Sequence, residues 1–404
     1  MKNKILEKNN ITGREILQKK IIDMPEKPGV YRMIGIKKNV LYVGKAKNLK
    51  KRLLSYTRPN GNNNRITKMI SLIKDVEITI TETEMDALLL ELNLIKEKKP
   101  RYNIMLRDDK TFPYIFISKE HDFPRLEKHR GSRTKPGYYY GPFANTGAVN
   151  RTLNTLQKVF LLRSCTDREV EAGDRPCLNY HLKRCSGPCG SMISKEDYKE
   201  LVNDVRNFFS GKSTLIQKKL STKMQIASKN KEYETAAQYR DRISALANIT
   251  KSDTINPQFL EEADVFAVSK INNKSCVQVF FFRSWRNLGN KSYFPIHLND
   301  VSEKDILQSF IPQFYQNKPI PKLILTSHDL AEKKLLSETF SKKEKRKINI
   351  IKPQKGERQK IINHALENSK NALQRYQNNL LSNKKNLSLL QKAFELKEIP
   401  KRIE

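Results

Sequence analysis

Two tyrosines, two cations and a carboxylate stand in the first quarter of the chain at spacings that would let them act together. Tyr31 and Tyr42 lie eleven positions apart, Lys45 and Arg52 follow within a short basic stretch, Tyr56 closes it, and Glu91 comes further on. Phenols beside cations suit a phosphodiester, because the cations neutralise its charge and would lower a tyrosine's pKa from about 10. A carboxylate in an apolar setting needs a positive partner or a metal ion to offset its lost hydration.

The elements that must position these groups are legible in the run GVYRMIGIKKNVLYVGKAKNLKKRLLSY, Gly29 to Tyr56. Val30, Tyr31, Met33 and Ile34 form one short strand. Val40, Leu41, Tyr42 and Val43 form another, with Gly35 and Lys37–Lys38–Asn39 as the turn between them. After Gly44 the period changes: Leu49, Leu53 and Leu54 sit at helical spacing among Lys50, Lys51 and Arg52. In Met85–Lys98, MDALLLELNLIKEK, Glu91 interrupts an apolar run. Its neighbours one turn away are Ala87 and Leu88 on one side and Leu94 and Ile95 on the other, which puts the carboxylate on or beside the buried face. The residues alone leave a structural ion pair and a metal ligand both open for it.

GVY, then YVGKAKNLKKRLLSY, then LELNLIKEKKPRYN closely resemble the GIY-YIG nuclease domain of the UvrC family, the incision subunits of the bacterial UvrABC excision-repair system. It is the ordered combination that carries the resemblance. It implies that Tyr31 and Tyr42 are the family's active-site tyrosines, with Lys45, Arg52, Tyr56 and Asn103 as further site residues and Glu91 as the ligand of a catalytic Mg²⁺ (or Mn²⁺). None of these positions is substituted.

With 404 residues, two to four domains are expected. Lys and Arg number 77 against 43 Asp and Glu, a formal charge of +34, which predicts attraction to a polyanion, nucleic acid above all. There is no apolar run long enough to span a bilayer and no basic amphipathic helix with a large aromatic face, so no membrane role is expected. Met1–Asn10 is polar and lacks a signal-peptide core, which makes the cytoplasm the expected location.

The fold class expected is an α+β multidomain chain: an N-terminal GIY-YIG α/β nuclease domain, a Cys-rich metal module, a UVR helical hairpin and a small C-terminal α/β domain with a long helix. The boundaries read as an N-terminal helix over 1–24, the nuclease domain over 25–104 and an extended linker region over 105–164. A four-cysteine module over 165–195, helices with the hairpin over 196–252 and the α/β domain over 256–404 follow. Within the linker region, Tyr138–Tyr139–Tyr140 reads as a loop, suited either to stacking on unpaired bases or to a packed turn. Val149–Phe160 reads as a helix.

Cys165, Cys177, Cys185 and Cys189 have the spacing C-x11-C-x7-C-x3-C. In a reducing compartment disulfides are not expected. Spacing leaves zinc, an iron–sulfur cluster and four unligated thiols open; the resemblance to the UvrC cysteine cluster implies a [4Fe-4S] centre, with Zn²⁺ as the alternative. His181 within the run is read as outside the ligand set, and Cys276 as core. Gly211–Lys212–Ser213 fails as a phosphate loop, because Arg206 occupies the upstream glycine position; Ser213 reads as an N-cap. Two helices, Leu215–Lys229 and Glu232–Asn248, turn at Asn230, and their sequence resembles the UVR motif. That implies UvrB binding through Met224, Ala227, Glu234, Ala236, Ala237, Arg240, Asp241, Ile243 and Leu246.

Ala263–Thr326 alternates strand and helix, and Gln359–Leu396 reads as a long polar helix. No chemistry is legible there. Ile399–Glu404 resembles the lead-in to the family's RNase H-like nuclease domain, so this chain is expected to lack that domain and the helix-hairpin-helix module, and with them the family's second incision, 5′ to the lesion. The whole implies metal-dependent incision of damaged double-stranded DNA on the 3′ side of the lesion, in complex with UvrB and with UvrA involved indirectly. Tyr42 is the expected general base with Tyr31 orienting water, or the reverse. A catalytically silent UvrB-binding adaptor and a UvrB-independent structure-specific GIY-YIG nuclease are the competing readings.

Overall fold

The computed structural model describes residues 12–58, 64–106, 112–144, 146–173, 175–251, 260–298, 300–394 and 398. The polar first ten residues and the last six, Ile399–Glu404, on which two of the expectations rest, lie outside them. Eleven strands form three sheets among the described residues. The first holds β1 (Gly29–Ile34), β2 (Val40–Ala46) and β3 (Asp75–Ile80) in the order β2-β1-β3. The second holds β4 (Pro113–Ser118), β5 (Leu126–Arg130) and β6 (Gly137–Tyr140) in the order β5-β4-β6. The third holds β7 (Glu262–Ile271), β8 (Lys274–Arg283), β9 (Arg286–Tyr293), β10 (Leu323–Thr326) and β11 (Asn349–Ile351) in the order β11-β10-β7-β8-β9. The chain forms two compact units, one of Met1–Asp109, Phe266–Gln278 and Ser292–Glu404, the other of Lys110–Val265 and Val279–Lys291.

In the first unit, β1 runs antiparallel to both β2 and β3. The turn expected at Gly35–Asn39 forms, closed by Gly35 N–H on the Asn39 carbonyl, with Lys38 at φ 55°. β3, not foreseen, flanks the other edge of β1. Helix Leu49–Thr57 is capped by Asn48, whose side chain accepts from Lys51 N–H at 2.9 Å; Leu49, Leu53 and Tyr56, at i, i+4 and i+7, make its buried face. Helix Glu84–Lys98 starts at Thr83, which caps Asp86 N–H, and stops where Lys99 turns left-handed ahead of Pro100. Helix Gly13–Ile21 sends Leu17 and Ile21 into the same core as Tyr31, Met33 and Leu53. It therefore shares one core with the β2-β1-β3 sheet. Helix Glu303–Phe314 and the long helix Gly356–Ala393 also lie in this unit. Cys276 is buried as expected, its carbonyl accepting from Ser369 Oγ at 2.7 Å.

In the second unit the region 105–164 is no linker. β4–β6 and helix Thr146–Phe160 share one core with helix Lys195–Phe209 and the hairpin: Ile115, Leu156, Val159, Tyr198, Phe208 and Leu246 pack together. The triple tyrosine is strand β6, not a loop. The extended look comes from short strands interrupted by Pro113, Pro124 and Gly131, each too short to show a period of its own. The hairpin forms as helices Ser213–Lys229 and Tyr233–Lys251, with Lys231 at φ 60° between them. Ser213 is not the N-cap. Lys212 holds that position, and no side chain caps it.

Candidate active site

The strands and helices of 29–103 bring the expected residues to one cleft of about 460 Å³, lined by Tyr31, Tyr42, Lys45, Arg52, Tyr56, Glu91 and Asn103. Tyr31 is fully buried on β1, and its hydroxyl shares a 2.8 Å hydrogen bond with that of Tyr56. Arg52 Nε donates to Tyr31 Oη at 3.3 Å, with the guanidinium 5.3 Å from the Tyr56 ring centre. Tyr42, on the neighbouring strand, keeps its ring 6.1 Å from that of Tyr31 and is only partly buried. Gly44 makes this crossing possible. It pairs with Tyr31 across the sheet, and a Cβ there would lie 2.4 Å from the Tyr31 hydroxyl. A larger residue would push the phenol out of the cleft.

Glu91 sits one turn from Ala87, Leu88 and Ile95, which are buried, and accepts from the Lys45 backbone N–H at 3.1 Å. Burial pushes its carboxyl up to about 7, opposed by the charge and N–H of Lys45. The Lys45 ammonium turns instead to two other carboxylates, Glu84 at 3.4 Å and Glu332 at 2.8 Å, with the lysine side chain 7% exposed. Burial first, then the neighbouring phenols, raise both Tyr31 and Tyr42 well above the usual tyrosine value. The expected lowering by adjacent cations is thus reversed here: desolvation of a phenolate outweighs Arg52, and Lys45 spends its charge on glutamates. Asn103 lines the same cleft. Its carboxamide accepts from Val43 N–H at 2.9 Å and donates to Val43 O at 2.8 Å. It holds β2 in place and is a positioning residue.

The opposite wall was not foreseen. Asp305, Gln308 and Glu332 line the cleft from 300–332. Gln308 and Glu332 hold each other in both directions, Gln308 Nε2 to Glu332 Oε2 at 3.1 Å and Glu332 N–H to Gln308 Oε1 at 3.2 Å. No local pattern marks these residues, since Lys45 and Glu332 are 287 positions apart. Arg65 was missed too. It lines the cleft and donates to the Tyr102 carbonyl, and burial lowers its pKa. Its place one residue before the apolar repeat Ile66, Met69, Ile70 was the available signal.

As a home for a divalent ion the cleft offers hard oxygen donors, the Glu91 carboxylate foremost among phenol oxygens, which fits Mg²⁺. The four cysteines are not gathered around a single metal position among the described residues. All five cysteines are free, Cys185 and Cys189 buried, Cys165 half-buried and Cys177 exposed. Among the described residues no three His, Cys, Asp or Glu side chains come close enough to share a metal ion. Burial pushes the Cys185 thiol up to about 11. The backbone here is organised by Arg163, fully buried, which donates to the Cys165 carbonyl at 2.7 Å and pairs with Asp167.

On the hairpin, Glu234, Arg240 and Asp241 are exposed, while Met224, Ala236 and Ala237 are partly so. Leu246 is fully buried in the unit's own core, and Ile243 packs against it. Those two face inward rather than toward a partner, because the second helix needs an apolar face for its own unit. The hairpin's exposed large apolar side chains include Leu215 at 58%, Ile226 at 54% and Tyr233 at 67%.

No described helix is long and apolar enough to cross a membrane. Family models match in chain order: a UvrC-like GIY-YIG domain over 27–104, a UvrC/Cho excinuclease middle domain over 112–208, a UvrB/uvrC motif over 215–249 and a UvrC Ribonuclease H-like domain over 262–376. The last match corrects the expectation that nothing of the RNase H-like domain lies in this chain. On β7 the buried acid is Asp264, 2.7 Å from Arg283. UvrABC system protein C of Bartonella henselae is 49% identical over 98% of this chain and 60% of its own length; that of Maricaulis maris is 47% identical over 98% and 62%. The chain thus spans about 60% of the length of these curated relatives. The GIY-YIG N-terminal endonuclease domain of UvrC from Thermotoga maritima, bound to magnesium, is 38% identical, covering 22% of this chain and 94% of that one at a TM-score of 0.20. With four UvrC domain models in sequence and near-half identity along almost its whole length, the chain belongs to the UvrC family.

Proposed function

We propose that this chain is a metal-dependent DNA endonuclease of nucleotide excision repair that cuts the damaged strand 3′ to the lesion in complex with UvrB. The observation that carries the reading is the convergence of Tyr31, Tyr42, Arg52, Tyr56 and Glu91 on one cleft. Glu91 would hold Mg²⁺, which supplies Lewis-acid polarisation of the scissile phosphate when bound. Arg52 is aimed by Tyr31 and by the ring of Tyr56, and so presents its guanidinium to the phosphate charge as it builds.

Tyr31 is wholly buried with its oxygen engaged on Tyr56 and Arg52, so it orients rather than accepts a proton. Tyr42 has the more open ring and takes the proton from the attacking water. Because burial holds that phenol protonated, the reacting form is a minor one at neutral pH. Asn103 fixes the strand carrying Tyr42. The UVR hairpin, with Ile226 and Tyr233 exposed beside Glu234 and Arg240, is the surface for UvrB. UvrA would contribute indirectly, through loading of UvrB, and the cytoplasm is the compartment. An iron–sulfur or zinc centre would be held by the thiolates of Cys165, Cys177, Cys185 and Cys189, and no step of the cutting reaction passes through it.

The test is incision of a duplex carrying one bulky lesion, its damaged strand labelled at the 5′ end, with UvrA, UvrB, ATP and Mg²⁺. One nick on the 3′ side is expected, lost in Glu91→Gln while UvrB is still retained. Nicking of equal strength in Glu91→Gln would sink the assignment.

A further inference from the structure

A cleft of about 870 Å³ in the second unit has no part in the chemistry above. It lies between helix Thr146–Phe160, strand β6 and the hairpin of β8 and β9. Three observations give it a character. The first is charge. Arg151, Lys158 and Arg286 line it, and no Asp or Glu does, although the chain carries 43 acidic residues. Arg151, Thr155 and Lys158 stand at i, i+4 and i+7 on one helix face, with both cations exposed.

The second is aromatic surface. Tyr140 stacks on Phe209 at 4.0 Å, and the Arg286 guanidinium lies 3.8 Å over the Phe208 ring; all four residues line the cleft. Phe208 itself is buried, but Tyr140 and Phe209 are only partly so, and part-buried rings beside exposed cations are the combination that takes up unpaired bases and their phosphates.

The third is the turn at its rim. Ser284 and Trp285 join β8 to β9 with φ 49° and 60°, where Asn and Gly are the usual residues. The fold accepts two unfavoured backbone conformations and in return holds the chain's single tryptophan, 39% exposed, against Gly211 next to the cleft. The turn thereby keeps a large ring at the rim of the cleft, partly open to solvent.

We propose that this cleft binds single-stranded DNA, seating a short unpaired stretch with phosphates on Arg151 and Lys158 and bases against the rings. Base-paired DNA keeps its base faces inside the stack and has nothing to offer the rings. The proposal rests on the reading of the chain as a DNA-cutting protein and adds a place where an opened strand is held.

Trp285 is the probe, since no other tryptophan contributes to emission. The full chain is titrated with a short oligothymidylate in EDTA, so that no cutting occurs and the outcome does not depend on the nuclease site. Saturable quenching of Trp285 is expected, weakened at least about tenfold in R151E/K158E. In R151A/K158A the slope of log affinity against log salt should fall by about 1.4, the contribution of two phosphate contacts on a single strand. Both substituted positions are exposed, and an unchanged far-ultraviolet circular dichroism spectrum and unchanged DNA-free emission verify the fold. Quenching of native and substituted chains to the same degree, or none at all, overturns the site. Equal quenching by a matched duplex overturns the assignment to unpaired strands. Loss of oligothymidylate binding in R151E/K158E with Glu91→Gln still cutting would leave this site standing and remove the nuclease assignment alone.

Discussion

The cleft around Glu91 and the cleft beneath the Ser284–Trp285 turn both set aromatic rings beside cations, yet only the first contains carboxylates. That difference separates two tasks. In the first, Lys45 is held between Glu84 and Glu332, Arg52 is tied to Tyr31, and the phenols are bonded to one another, so the geometry is fixed before any ligand arrives. Fixed donors aimed at developing charge are what a reaction needs. In the second cleft, Arg151 and Lys158 project from a helix surface, and the rings stack without hydroxyl networks between them. Exposed cations and ring faces hold a polymer without demanding a sequence or a single pose. Rings alone do not distinguish a reaction centre from a holding site; a buried acid does.

The comparison breaks if the first cleft tolerates loss of its aimed groups. Arg52→Ala should lower incision by about a hundred- to a thousandfold, measured by gel under single-turnover conditions, with retention of UvrB unchanged; near-native cutting would mean that Arg52 is not on the phosphate. Next in size, Tyr42→Phe should cost more than Tyr31→Phe, by about tenfold or more, since only Tyr42 is asked to take a proton. The raised phenol gives a sign: the native rate should climb with pH up to the alkaline limit of the assay, and Tyr42→Phe should flatten that climb. A flat native profile would remove the phenol as base.

The smallest effect concerns stability. Glu91 has a folded pKa of about 7 against an ordinary value of 4.5. The folded chain therefore binds more protons between those values, and stability contributed by this group falls as pH rises from 4.5 to 7. In EDTA, Glu91→Gln should be more stable than the native chain at pH 8, by on the order of 2 kcal/mol, and no different at pH 4. Mg²⁺ should stabilise the native chain and leave Glu91→Gln unmoved. Equal melting at both pH values would show that the carboxylate is better solvated than its position implies.

How far the sequence could be read follows from how local each signal was. β1, β2 and helix Glu84–Lys98 carry their periods within a dozen residues, and the spacing of Tyr31, Tyr42, Arg52 and Glu91 could be turned into a shared site directly. β3 went unread although Val76, Ile78 and Ile80 alternate, because its partner β1 lies some forty positions away and the strand is an edge. The middle region looked like a linker because Pro113 and Pro124 cut its strands short, while the surface that buries them comes from helix Lys195–Phe209 and from Leu246. Glu332 could not be found by any pattern near Lys45. The phenol pKa values failed for a different reason. The sequence names the charged neighbours but not the depth of burial, and depth decided the sign.

Asn103 carries one more consequence. β2 is an outer strand of its sheet, and Val43 turns its N–H and carbonyl away from β1 and onto the Asn103 carboxamide. A carboxamide has the same donor and acceptor as a peptide unit, so one side chain stands where an added strand would pair. The open edge of the sheet is stopped at its midpoint, and a second chain has no continuous ladder to extend. Asn103→Asp keeps the size of the side chain but loses the donor, setting a carboxylate against the Val43 carbonyl. The residue is thus a guard against edge-to-edge association as much as a brace for Tyr42.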